Sequence, residues 1–163
     1  EYPIVQKIRN IEIIAWTTIL FGILLFISDK FKVVYNIKNN LNYKSILFIG
    51  LLQILSLVPG VSRSGIAITA ARFLKFKRVE AAKISFLLSI PILGAVSIFG
   101  LKNLIVSKDF IFTQLNLFAI ICSFIFSLLT IKFFLKYISK FSLNIFVYYR
   151  VFLGLMLLIF TYL

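Results

Sequence analysis

Pro59-Gly60-Val61-Ser62-Arg63-Ser64-Gly65 separates two apolar runs, Ile46 to Val58 and Ile66 to Leu74. An arginine at membrane depth costs about 2.5–3.5 kcal/mol even on lenient insertion scales, so a functional role is the default reading. Pro59 has no amide hydrogen and would leave the Leu55 carbonyl unpaired in a continuing helix; the first helix is therefore expected to stop near Gly60. Gly60 and Gly65 can take positive φ, and a second helix starting near Gly65 offers unpaired amides and the positive end of its dipole. Ser62 and Ser64 add hydroxyl donors, and Arg63 a permanently charged planar fork that matches phosphate oxygens. The heptapeptide reads as an anion cradle. The alternative, a helix break at a packing contact, leaves Arg63 without a partner in a chain so poor in acids.

Outward from this loop the chain is apolar. With 61% hydrophobic and 14% charged residues in 163, and a mean hydropathy of +1.06, it is too apolar for a soluble domain. Further apolar runs at Ile11 to Ile27, Ile84 to Leu101, Leu115 to Ile131 and Ile145 to Leu163 approach the roughly 20 residues that span a hydrocarbon core. Ile46 to Val58 is shorter, and about 13 residues at ~1.5 Å rise reach mid-bilayer without crossing it. The expected fold is all-α: a polytopic membrane helical bundle, one membrane domain over 1–163, with a re-entrant hairpin at about 46–75. Such a hairpin puts Lys30, Lys32, Lys38, Lys44, Arg72, Lys75, Lys77, Arg78, Lys83, Lys132, Lys136 and Lys140 on one side. Lys7, Arg9, Lys102 and Lys108 fall opposite, and Arg63 and Arg150 lie in the membrane. The positive-inside rule makes the rich side cytoplasmic, with both termini outward and the loop opening to the outer face. Its backbone must then be buried in protein or line a wet cavity.

Several function classes fail. The net charge of +13 sits in the connections, without a nucleic-acid recognition module. Cys122 is alone, so no intrachain disulfide forms, and it reads as packing. There is no histidine, and the five acids, Glu1, Glu12, Asp29, Glu80 and Asp109, form no cluster able to hold a metal within this chain. Gly60 and Gly65 have the spacing of P-loop glycines, but Ile66 and Ala67 stand where Lys and Ser or Thr are required. Gly60-Val61-Ser62-Arg63-Ser64 lacks the closing glycine of a nucleophile elbow, and no base is available for a triad. The chain opens with Glu1 and has no signal-peptide pattern, so Ile11 to Ile27 is expected to span and the whole to be a piece of a longer protein.

Other polar residues are candidates for the same cavity. Gln53, Ser56 and Gly60 share one helical face by spacing. Ser85 and Ser89 precede Pro91, which frees the Leu87 carbonyl and is expected to bend its span, although small-residue packing is the commoner role of such serines. Arg150, in Tyr148-Tyr149-Arg150, either snorkels to the interface or points inward as a second phosphate ligand; the inward reading is preferred. Glu80 reads as a surface charge paired with a neighbouring Lys or Arg. Asn36 to Lys44 reads as a polar turn.

Gln53 to Gly65, then Val79-Glu80-Ala81-Ala82-Lys83-Ile84-Ser85-Phe86-Leu87-Leu88-Ser89-Ile90-Pro91, then Phe146-Val147-Tyr148-Tyr149-Arg150, resemble the bacterial undecaprenyl-diphosphate phosphatases of the bacitracin-resistance type. The resemblance covers essentially the whole chain and implies half of an inverted-repeat fold in a multi-pass inner-membrane enzyme. The implied activity is removal of the terminal phosphate from undecaprenyl diphosphate, recycling the lipid carrier of cell-wall synthesis. It also implies that Ser62, Arg63 and Ser64 are the catalytic phosphate loop, joined by Arg150; from their own place in and beside the loop, Gly60, Gly65 and Gln53 are expected to bind substrate with Arg150. The family's second hairpin, glutamate-rich and linked to a divalent cation (Mg or Ca), has no counterpart here, so the chain resembles the carboxy-terminal part of a member. The implied partners are the polyprenyl diphosphate lipid, the membrane and either the missing amino-terminal half or further copies of the chain. Ala67 stands where the family usually has threonine, with Thr69 two positions later. The alternatives are a polyprenyl-phosphate transporter or binding protein, and an inactive fragment.

Overall fold

The computed structural model describes residues 10–107 and 110–163, and side chains within them except at 101, 103–107 and 110–113. Of the charges and acids used above, Glu1, Lys7, Arg9, Lys108 and Asp109 lie outside the described residues. The chain folds as an all-α bundle: α1 (Ile11–Asp29), a one-turn α2 (Ile37–Asn40), α3 (Tyr43–Gln53) continued by a 3-10 turn (Ile54–Leu57), α4 (Arg63–Phe73), α5 (Arg78–Ser107), α6 (Phe110–Lys140) and α7 (Asn144–Tyr162). Among the described residues four helices, α1, α5, α6 and α7, are long and apolar enough to cross a membrane. This is a multi-pass membrane protein. The helices α3 and α4, 11 residues each, rise roughly 16 Å and cannot cross singly.

Small residues decide which helices touch. The helix α1 buries Ala15, Thr18, Gly22 and Leu25 against α7, which offers Val147, Arg150 and Gly154. A Cβ on Gly154 would sit 2.4 Å from Ile19 Cγ1 and 3.0 Å from the Ala15 oxygen, so only glycine permits this approach. The helix α4 is the most enclosed element. Its residues Ile66 to Arg72 are all buried, and Ala67, Ala70 and Ala71 face Ala81 and Ala82 of α5 within one core. Edge-to-face rings join the far side: Phe134 of α6 lies 5.9 Å from Phe86 of α5 and 5.4 Å from Phe146 of α7.

The ends of the helices are fixed by one acid. Asp29, the last residue of α1, accepts from Arg78 Nε and Nη2 at 2.8 Å each and from the Leu143 amide at 3.3 Å, while its backbone oxygen accepts from Arg72 Nη2 at 2.7 Å. Arg72 Nη1 also donates to the Phe76 oxygen at 2.9 Å. Arg72, placed by the sequence among the cations of the lysine-rich side, is 1% exposed inside α4, because its charge is met by Asp29 and two of its donors by carbonyls. Just beyond α4, Lys75 takes φ 66, and the pairs Lys75 N to Arg72 O and Phe76 N to Ala71 O form a Schellman cap.

The local structure differs from the sequence reading in several details. Asn36 to Lys44 is no plain turn: it contains α2, and Asn42 caps α3 by accepting from the Ser45 amide at 2.8 Å. The apolar run at Leu115 to Ile131 lies within a longer α6 that reaches Lys140. The first hairpin helix ends at Leu57, not near Gly60, because the ring of Pro59 drives the preceding Val58 to extended backbone, φ −75 and ψ 128. After Gln53 it tightens to 3-10, which undoes the common α-helical face expected for Gln53, Ser56 and Gly60. The second helix begins at Arg63, two residues before Gly65.

Candidate phosphate-binding cavity

Ser62 is the N-cap of α4. Its backbone is extended, and its Oγ accepts from the Gly65 amide at 3.2 Å, as a serine cap does. Arg63 and Ser64 thereby become the first helical residues, whose amides have no acceptor within the helix and point out of its positive end. The Ser64 Oγ lies 3.2 Å from Ser62 Oγ, so the two hydroxyls form one small polar cluster.

The two glycines act differently. Gly60 alone has positive φ, at 88, and a Cβ there would lie 2.1 Å from Thr17 Oγ1 and 2.6 Å from the Ile14 oxygen. Gly65 is helical and does not use its freedom for positive φ; a Cβ there would come within 2.9 Å of Arg150 Nη1, the far end of a flexible side chain. Both glycines serve close approach, one to α1 and one to α7.

Neighbouring helices clamp the loop by its carbonyls. Thr17 Oγ1 lies 2.7 Å from the Pro59 oxygen, Thr18 Oγ1 3.4 Å from the Gly60 oxygen, and Arg150 Nη2 donates to that same Gly60 oxygen at 2.9 Å. Ser85 Oγ reaches the Ser64 oxygen at 3.3 Å from α5. Such contacts satisfy irregular backbone where it is turned away from the cavity and no water can reach it.

Beside the loop lies a cavity of about 460 Å³. Its wall combines polar groups, among them Thr18, Ser62, Ser64 and Arg150, with apolar side chains, among them Leu25, Ile68, Phe134, Phe146 and Leu153. Mostly apolar walls with a few convergent polar groups are the usual make-up of a ligand cavity.

Of the residues singled out from sequence, Ser62, Ser64, Gly60, Gly65 and Arg150 meet here. Arg150 is 9% exposed and points inward, not to the interface. Arg63 is exposed, is not in the cavity wall, and has no acidic partner among the described residues. Gln53 is half-buried at the end of α3 and also outside the wall. Ser89 bonds back to the Phe86 oxygen, and Glu80 pairs with Lys83 at 3.0 Å. Ala67 is fully buried, and the Thr69 hydroxyl donates to the Gly65 oxygen at 2.8 Å, so it does not replace a hydroxyl at position 67. Sequence reasoning missed Thr17, Thr18 and Tyr149, which lines the cavity next to Arg150. Adjacent hydroxyls in an apolar run were the available signal for the threonines.

Residues 2–156 match the family model of the bacitracin resistance protein BacA. The chain belongs to this family. It is 54% identical over 154 residues to the undecaprenyl-diphosphatase of Pelagibacter ubique (strain HTCC1062), covering 94% of this chain and 60% of that protein. It is 43% identical over 154 residues to the undecaprenyl-diphosphatase of Elusimicrobium minutum (strain Pei191), covering 93% of this chain and 57% of that protein. The chain thus spans less than two thirds of the length of these curated relatives.

Proposed function

We propose that this chain supplies the phosphate-holding part of an undecaprenyl-diphosphate phosphatase, which hydrolyses the lipid diphosphate to undecaprenyl phosphate and phosphate in a bacterial inner membrane. The observation that carries this reading is one cavity whose wall holds loop hydroxyls and a buried guanidinium together with apolar side chains. Its two characters match a diphosphate headgroup joined to a prenyl chain. The names of the family's relatives agree with it.

In this reading α3 and α4 form a re-entrant hairpin, half of an inverted repeat, whose loop opens to the outer face. Such folds build their sites from broken helices near the bilayer midplane. Arg150 is committed to the Gly60 oxygen and holds the loop in shape, while its charge favours an anion in the cavity. The first-turn amides of α4, with Ser62 and Ser64, receive the phosphate oxygens. Arg63, on the open side of the loop, closes over the terminal phosphoryl group and neutralises charge as the phosphorus–oxygen bond to the leaving lipid phosphate breaks and water oxygen bonds to phosphorus. The described residues contain no group of three His, Cys, Asp or Glu able to hold a metal. A divalent cation would need ligands from beyond the described residues, and no step is routed through one.

The test is co-expression of this chain with the part of the Pelagibacter ubique relative that it does not match, followed by assay of phosphate release from undecaprenyl diphosphate in detergent. Release that Arg63→Lys lowers sharply supports the reading. Release unaffected by that change removes Arg63 from the mechanism. Headgroup movement across sealed vesicles without release would replace the enzyme with a polyprenyl-phosphate transporter, and neither activity would leave an inactive fragment.

A further inference from the structure

A second cavity, of about 450 Å³, shares no lining residue with the first. It lies where α1 ends, α5 begins and α6 ends, which is where three of the four candidate spans meet one membrane surface. Lys32, Lys77, Arg72 and Arg78 line it, with Asp29 as the single acid. Four cations therefore face one carboxylate, and that carboxylate is already engaged: Arg78 grips both its oxygens and the Leu143 amide takes a third bond. The shortage shows at Arg72, whose buried Nε makes no hydrogen bond among the described residues. Asp29 Oδ1, at 3.3 Å, lies out of line with its N–H. Lys32 and Lys77 are exposed and have no acidic partner among the described residues.

We propose that Lys32 and Lys77, backed by the Arg72–Arg78 pair, form a binding site for a phosphate group, and that its source is the headgroup of an anionic phospholipid. Two mobile ammonium groups over a fixed surplus of positive charge suit a phosphodiester, and basic pockets at the ends of spans hold anionic headgroups in this way. The apolar part of the wall decides the source. Phe31 and Val33 line the same cavity and are 43% and 41% exposed, so they present hydrocarbon to an acyl chain where a free phosphate ion would need water.

The experiment uses the 163-residue chain in nanodiscs of phosphatidylcholine with a minor share of phosphatidylglycerol, extracted into detergent and weighed by native mass spectrometry. Retained phosphatidylglycerol that falls at least tenfold in the double variant Lys32→Gln/Lys77→Gln, and returns in Lys32→Arg/Lys77→Arg, supports the site with lipid as its source. Saturable binding of inorganic phosphate by the lipid-free chain, with the same dependence on both lysines, supports the site with the free anion as its source. Retention of phosphatidylglycerol that ignores both lysines, or equal retention of phosphatidylcholine, overturns it. Both positions are exposed, and helical circular dichroism identical to the parent shows that the fold is retained.

Discussion

Arg150 on α7 and Gly60 at the apex of the loop, 90 residues apart in sequence, are joined by one hydrogen bond of 2.9 Å from the guanidinium Nη2 to the glycine oxygen. The bond fixes the loop to the last helix, and the two threonines of α1 fix it to the first. The shape of the cavity thus depends on contacts between the two ends of the chain.

Arg150→Met removes that donor while keeping much of the side-chain volume. Leaving a partly buried carbonyl without its charged donor costs about 1–3 kcal/mol at most, so the thermal midpoint in detergent should fall and the loop amides should exchange faster with deuterium. Unchanged exchange at Val61 to Gly65 would show that Arg150 does not hold the loop.

Arg63 gives the opposite pattern. Because it is exposed, Arg63→Lys should leave stability within about 0.5 kcal/mol of the parent, as surface changes do. Phosphate release by the completed enzyme should nevertheless fall by about 10²- to 10³-fold, the usual loss for one donor to developing charge. A parallel loss of thermal stability would reassign Arg63 to packing.

The glycines should separate. Gly60→Ala combines strained backbone with overlap against Thr17 and the Ile14 oxygen, and should cost about 2–5 kcal/mol from left-handed strain and overpacking together. Gly65→Ala meets only the end of the flexible Arg150 side chain within 3.0 Å, so its thermal penalty should be the smaller of the two. Equal midpoints for the two variants would contradict this geometry.

Asp29→Asn tests the end staple. Removing the only carboxylate that pairs with Arg72 and Arg78 among the described residues leaves a buried guanidinium uncompensated, which typically costs about 3–5 kcal/mol. Urea or heat denaturation followed by tryptophan fluorescence from Trp16, on the same helix, reads the loss. Lys75→Gly should do the reverse, stabilising by about 0.5–1 kcal/mol, since a non-glycine residue there holds φ 66 against steric strain.

The fold class was legible because it rests on quantities local to the chain. Apolar runs near span length, a proline that ends a helix and serines that cap the next one act within a few residues. Gly65 shows the limit: the sequence marked it as free to take positive φ, yet it is an ordinary helical residue that lies against a side chain from α7. Arg72 shows it again, since a cation at the end of an apolar run reads as a surface charge until Asp29 is placed beside it.

The sequence by itself determined that the chain is a helical membrane protein with a proline- and glycine-bounded break in it, because bilayer thickness and backbone sterics act on contiguous residues. Only the tertiary structure decided that Arg150 and not Arg63 reaches the cavity wall, that Thr17 and Thr18 hold the loop, and that Asp29 serves two arginines. Those choices follow from which helix faces pack together, and helix packing is set by contacts between residues far apart in the chain.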